Sequence, residues 1–207
     1  VATITAAPDM LDGPYVIRAT QTDLGGNVSA ASSPLAITID TVVPSTATPA
    51  LDLITADDSG SSSTDNRTNK TAYTINATGL EPGATVELKE GATVIATATV
   101  SAGGTANFSV TAATSGTHDY VVAQTDAAGN TSTTAILLMV DVDTAVPAAP
   151  GALDLATVSD TGSSNTDNIT SDTTPTISGA PVEPGAIVTL YDSDGTTVIG
   201  TTVADGS

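Results

Sequence analysis

The chain has 207 residues, a formal net charge of -19 and no cysteine. Its 4 Lys plus Arg exclude the basic footprint that nucleic acid or an anionic lipid surface requires. Without cysteine there is no disulfide framework, and zinc or thiol chemistry lacks its usual ligands.

Aromatic residues make up 2% of the chain and hydrophobic residues 40%. Cores are therefore expected to be built from Val, Ile, Leu and Ala, in small domains rather than one large one. Regular β patterning argues against disorder. No apolar run of about 18 residues is present, so membrane insertion is not expected. The chain lacks a signal peptide and starts inside a repeat without Met, which predicts an internal fragment.

The repeat organises everything else. LDLITADDSGSSSTDN at 51–66 returns as LDLATVSDTGSSNTDN at 153–168. QTDLGGN at 21–27 returns as QTDAAGN at 124–130, IDTVVP at 39–44 as VDTAVP at 142–147, and EPGATV at 81–86 as EPGAIV at 183–188. A spacing of about one hundred residues suits one small domain per copy. Three segments follow: 1–40, the C-terminal part of one copy; 41–143, a complete copy; and 144–207, the N-terminal part of another.

In chain order, 1–40 supplies the last three strands of its copy, E, F and G. The complete copy reads as A at 50–55, B at 71–76, C at 84–90, D at 93–100, E at 105–110, F at 118–125 and G at 133–141. Its expected core is Ile75, Val86, Leu88, Val94, Val100, Phe108, Val110, Tyr120 and Val122, with Ile136, Leu138 and Val140 on one face of G. Gly, Asn, Asp and Pro clusters separate the strands, and no segment has sustained helical periodicity. Segment 144–207 supplies A to D, with two residues added in the C–D hairpin. About seven strands per hundred residues predict an all-β chain of tandem immunoglobulin-like sandwiches. Pro44, Pro49, Pro147 and Pro150 stiffen the linkers, which favours a semi-rigid rod.

The acids are lopsided: 19 Asp against 4 Glu. Asp suits tight loops and is a hard oxygen ligand for calcium. In a sandwich, the A–B, C–D and E–F loops share one pole with the exit of G. Asp57, Asp58, Asp65, Asp141 and Asp143 then gather there, and their mutual repulsion calls for a cation. Asp58, Asp65 and Asp143 are the expected calcium ligands, with Asp141 beside them. Segment 144–207 repeats the loop as Asp160 and Asp167, with Asp192 and Asp194 expected nearby. At the other pole, Asp126 and Asn130 face Asp40 of the incoming linker; Asp23 and Asn27 are the first-copy equivalents. Ordinary turn chemistry explains D-x-x-G-N as well as a metal does. Glu81 and Glu183 precede Pro-Gly turns and could lend further ligands.

Other motifs fail on inspection. DSDG at 192–195 starts like an EF-hand loop, but its Gly comes too early and Val203 stands where the bidentate Glu belongs. His118, the only histidine, has no partner that spacing identifies, so no catalytic triad is expected and the chain is read as a non-enzyme. Lys70 and Lys89 are the only lysines, which leaves little room for a Lys–Asn isopeptide bond. Sequons at Asn66, Asn76 and Asn107 are chance products of a Thr-rich chain.

The ordered run of P-x-x-x-x-LDL, DTGSSNTDN, TTPTISG, EPGAIV, YDSDG, TVIGTTVADG, TDAAGNTS and VDTAVP resembles the bacterial immunoglobulin-like repeats of giant RTX-type and biofilm-associated adhesins. The resemblance implies a type I secreted stalk at the bacterial cell surface, with calcium at the domain junctions. The complete copy departs from the pattern, with TAYTINATG for TTPTISGAP and KEG for YDSDG. The glycine-rich calcium nonapeptides of RTX secretion domains are absent. The expected role is a structural extender whose partners are neighbouring repeats. The rivals are a direct glycan- or receptor-binding module, against which the few aromatics count, and an accessory domain of a secreted enzyme. Two partial copies that together make one repeat also predict head-to-tail self-association.

Overall fold

The computed structural model describes residues 2–6, 9–45, 49–111, 113–133 and 137–205. The chain is all-β, and among the described residues there is no helix, hence none that could cross a membrane. It divides into two compact units, Val1–Thr144 and Ala145–Ser207.

The first unit opens with the antiparallel pair β1 (Gly13–Ile17) and β2 (Leu35–Ile39). The complete copy follows as β3 (Ala50–Leu53), β4 (Arg67–Thr68), β5 (Tyr73–Thr78), β6 (Thr85–Glu90), β7 (Thr93–Thr99), β8 (Ala106–Val110), β9 (Gly116–Thr125), β10 (Thr131–Thr133) and β11 (Leu138–Val142). One sheet runs β3-β5-β8; the other runs β4-β11-β9-β6-β7, with β10 on β9. The second unit holds two antiparallel pairs, β12 (Leu153–Leu155) with β13 (Ile177–Gly179) and β14 (Ile187–Tyr191) with β15 (Val198–Val203).

Period-two alternation builds the sandwich. Strand β5 buries Tyr73, Ile75 and Ala77; β8 buries Ala106, Phe108 and Val110; β9 buries Tyr120 and Val122. Val86, Leu88, Leu138, Val140 and Val142, from the sheet of β9, join the same core against β5 and β8. Tyr73 and Tyr120 meet edge to face, and their hydroxyls bond at 2.7 Å, so each buried phenol satisfies the other. Burial raises the pKa of both.

Two expectations need correction. Val94 lies outside the core and is exposed. It sits at the start of edge strand β7, opposite Lys89, where a bulge between Leu88 and Lys89 breaks the alternation. Strand β7 pairs with β6 across a two-residue turn that contains Gly91 (φ 58°), and it is not in the sheet of β8. Strand G, expected as one run over 133–141, appears as β10 and β11 with Leu137 in neither, and Ile136 lies outside the described residues.

His118 has a structural task. Its Nε2 lies 2.8 Å from the Thr114 carbonyl, and its Nδ1 lies 2.8 Å from Glu90 Oε1. The Thr114 carbonyl accepts, as does the Glu90 carboxylate when ionised, so the site favours the imidazolium, in which both nitrogens donate. Burial opposes that charge, but the Thr114 carbonyl and the Glu90 carboxylate outweigh it and raise the pKa above 6.5. A raised folded value stabilises the fold fully below the unfolded pKa, and the gain is lost as pH rises through the folded value. Melting midpoints should therefore fall on passing from mildly acidic to mildly alkaline buffer. His118→Gln should flatten that slope; an unchanged slope would refute the assignment.

Candidate functional site

The A–B loop is held by a repeated device. Asn66 and Asn168 adopt φ of 58° and 57°, a left-handed conformation that Asn tolerates better than most side chains. Each uses its Oδ1 to accept the strand A backbone N–H, from Leu53 or Leu155, at 3.0 Å. Each donates its own N–H to a buried carboxylate: Asn66 to Asp58 Oδ2 at 3.2 Å and Asn168 to Asp160 Oδ2 at 3.3 Å. Sequence reasoning treated Asn66 only as a sequon. The signal that it mattered was its return in the second unit as Asn168.

The short strand β4 then pairs in parallel with β11, Arg67 opposite Asp141 and Thr68 opposite Val142. This pairing brings the A–B loop to the exit of G, the juxtaposition that pole sorting anticipates. The carboxylates reach it differently. Asp58 is 5% exposed and Asp160 6%. In both, Oδ1 is buried and has no hydrogen-bond partner. Asp65 is exposed, and its Oδ1 accepts the Arg67 N–H at 3.3 Å; Asp167 does the same for Ile169 at 3.2 Å. Asp141 pairs with Arg67 Nε at 3.3 Å. Asp143 is exposed, and its backbone N–H donates to Thr68 O at 2.8 Å. Asp57 binds Lys70 at 2.8 Å, and this neighbour lowers its pKa. Among the described residues, no three His, Cys, Asp or Glu side chains converge as a ready metal cage.

The second unit replaces the Asp57–Lys70 ion pair with a hydroxyl–carboxylate pair. Ser159 stands for Asp57 and Asp172 for Lys70, and Ser159 Oγ donates to Asp172 Oδ2 at 3.1 Å. The N–H that Asp57 Oδ2 receives from Thr74 at 2.8 Å goes instead from Thr176 to Ser159 Oγ at 3.0 Å. Residues 145–207 contain no Lys, Arg or His. Asp160 is therefore a buried carboxylate in a unit with no cationic side chain. A buried carboxylate oxygen without a hydrogen-bond partner is the kind of hard donor that an oxygen-ligated cation takes.

At the opposite pole the carboxylates serve turns. Asp126 Oδ1 accepts the N–H groups of Ala128, Gly129 and Asn130 at 2.8–2.9 Å, and Oδ2 accepts Asn130 Nδ2 at 2.8 Å. Asn130 leads the contacts that lower its pKa. Asp23 is engaged by Gly25 and Asn27 in the same way. Turn bonding also engages the C–D hairpin of the second unit, at the A–B pole by strand order: Asp192 and Asp194 bind backbone N–H groups of their own turn, and the Thr197 hydroxyl leads the contacts that lower Asp194.

What the pole of Asp126 holds is the incoming linker. Asn130 Nδ2 also lies 3.1 Å from the Asp40 carbonyl. Gln124, buried in β9, accepts the Glu81 N–H at 2.9 Å and donates to the Ser45 carbonyl at 3.0 Å. Pro44 and Pro49 are fully buried. The linker is thus clamped to the domain by side chains of strand F and its following loop. Gln124 escaped the sequence reading because it precedes a turn motif; its first-copy counterpart, Gln21, was the available signal.

A family model described as a bacterial Ig-like domain matches residues 45–144 and again 147–207. No curated protein matches the chain.

Proposed function

Because the chain belongs to the bacterial Ig-like domain family, we propose that it is a length of the repeated extender of a surface adhesin, with calcium stiffening its junctions. Domains of this family are typically non-catalytic structural modules and are commonly extracellular or surface-exposed. The observation that carries the extender reading is the clamped linker: Gln124 and Asn130 tie the segment containing Asp40 and Ser45 to the domain it feeds. A free connection would leave such a segment to solvent; a spacer that transmits direction needs it fixed. Adhesin attachment, type I secretion and biofilm association rest on the resemblance of the repeats.

Calcium is supported by the orphan Asp58 and Asp160 oxygens, repeated at one position of two copies. Asp58 would anchor the ion in the complete copy, with Asp65 and Asp143 within the same loop-and-exit cluster; Asp160 and Asp167 would serve the second unit. Bound there, the cation supplies charge compensation and cross-links the A–B loop to the exit of G.

Small-angle scattering tests the extender. In calcium, the radius of gyration should lie well above the roughly 17 Å of a compact chain of this length. Gln124→Ala should broaden the distance distribution by loosening the linker. A compact wild-type value would defeat the extender reading.

A further inference from the structure

The A–B loops of the two units are a matched pair with different charge. Residues 51–74 hold four Asp together with Arg67 and Lys70; residues 153–176 hold four Asp and no base. The frame around the buried carboxylate is shared. Asp58 and Asp160 each donate their N–H across a turn, to the Ile54 or Ala156 carbonyl at 3.0 Å, and each accepts an Asn N–H on Oδ2. In each, Oδ1 is buried and has no hydrogen-bond partner. Asp65 and Asp167 also match, each accepting the N–H two residues on.

What differs is the group beside the residue that precedes the buried Asp. In the complete copy it is a cation. Lys70 Nζ donates to the Ala56 carbonyl at 2.6 Å and to Asp57 Oδ1 at 2.8 Å. Ala56 and Asp57 are the two residues before Asp58, so the ammonium is fixed to the same turn, and the charges of Asp57 and Lys70 cancel. In the second unit the group is an anion. Asp172 accepts the Thr174 N–H on Oδ1 at 2.9 Å and the Ser159 hydroxyl on Oδ2 at 3.1 Å. These bonds hold its carboxyl below the ordinary carboxylate range, so it is ionised at neutral pH. Ser159 brings no charge, so this pair carries one net negative charge where Asp57 and Lys70 carry none. Ile169 likewise stands where Arg67 does. Neither Lys70 nor Asp172 has to touch an ion to act on it. A neighbouring unit charge raises or lowers the affinity for a divalent cation through the field alone.

We infer, on the calcium reading proposed above, that this loop position sets the affinity of each copy for the ion: Lys70 cancels Asp57 and weakens the Asp58 site, while Asp172, left uncancelled, strengthens the Asp160 site. Lys70 is a tethered cation that supplies part of the compensation an ion would supply, so the complete copy depends less on calcium. The loop of 153–176 has no such substitute and depends on calcium from solution. Copies with Asp at this position load at lower calcium than copies with Lys, given the same remaining donors.

Calorimetric titration of the 207-residue polypeptide with calcium chloride tests this one site at a time. In an Asp160→Asn background, which leaves the Asp58 site, Lys70→Gln should tighten binding roughly three- to tenfold, the scale of one charge near a divalent ion. In an Asp58→Asn background, Asp172→Asn should weaken it by a similar factor. Lys70→Arg keeps the charge and should leave the affinity unchanged. Asp57→Ser with Lys70→Asp transplants the second unit's pair and should act as Lys70→Gln does, which guards against a variant that fails to fold. Each shift should shrink as sodium chloride rises, since it is transmitted by the field rather than by coordination. Affinities that ignore both Lys70→Gln and Asp172→Asn, or shifts that survive high salt, overturn the inference and leave the calcium reading intact. A wild-type chain that gives no heat of binding overturns the calcium reading itself and the inference with it.

Discussion

Adding calcium should raise the melting midpoint of the wild-type chain by roughly 10–20 °C, and Asp58→Asn together with Asp160→Asn should remove the gain. Extracellular calcium sites bind at about 0.1–1 mM. A site of about 0.1 mM in roughly 10 mM calcium gains about 2.7 kcal/mol. For a domain of about one hundred residues, each kcal/mol moves the midpoint by roughly 4–8 °C. The substitution keeps an acceptor for the N–H groups of Asn66 and Asn168 while removing the negative charge. In chelator the variant should therefore be at least as stable as the wild type, because it no longer buries an uncompensated carboxylate oxygen. In calcium the order should reverse. That crossing separates a cation site from a merely structural Asp, whose loss would lower both melts alike. Wild-type melts that ignore calcium, with no heat of binding, would sink the calcium reading.

The fold was legible because its strands alternate cleanly. Ile75, Val86, Leu88, Phe108, Val110, Tyr120 and Val122 could be assigned inward from period two alone, and all are buried. Val94 was not, since the bulge opposite it shifts the phase and nothing in the local pattern marks a bulge. Strand β4 was illegible for another reason: two residues, Arg67–Thr68, carry no periodicity, and the pairing with β11 depends on where the preceding loop leads. That strand nevertheless delivers the pole sorting anticipated from strand order. Topology thus placed the A–B loop with its carboxylates beside the exit of G, though no three acidic side chains among the described residues converge there. It could not predict their partners, because Asp57 to Lys70 and Asp141 to Arg67 are decided by side-chain reach. Nor could it single out Asp58 and Asp160 as the members buried with an oxygen left over.

Gln124→Ala should destabilise the complete copy by about 2–5 kcal/mol, the magnitude expected when two buried polar groups lose their partners. The side chain is 1% exposed, so water cannot readily replace it. Its Oε1 takes the Glu81 N–H and its Nε2 serves the Ser45 carbonyl, which joins the B–C loop to the incoming linker through a single residue. Truncation strips the Glu81 N–H and the Ser45 carbonyl of these bonds and leaves a void beside Val122 in the same strand. Gln124→Glu separates the two bonds. A carboxylate still accepts from Glu81 but has no N–H to offer Ser45, and two acceptors would then face each other. It should lose the linker contact while retaining the loop contact. Chemical denaturation reads the stability, and hydrogen exchange at the Glu81 amide and in the linker reads the two bonds apart. Alanine should speed exchange at both; glutamate should speed it in the linker alone. If alanine cost under about 0.5 kcal/mol, the usual range of a surface change, the clamp would carry no appreciable stability, and the extender reading would lose the observation on which it stands.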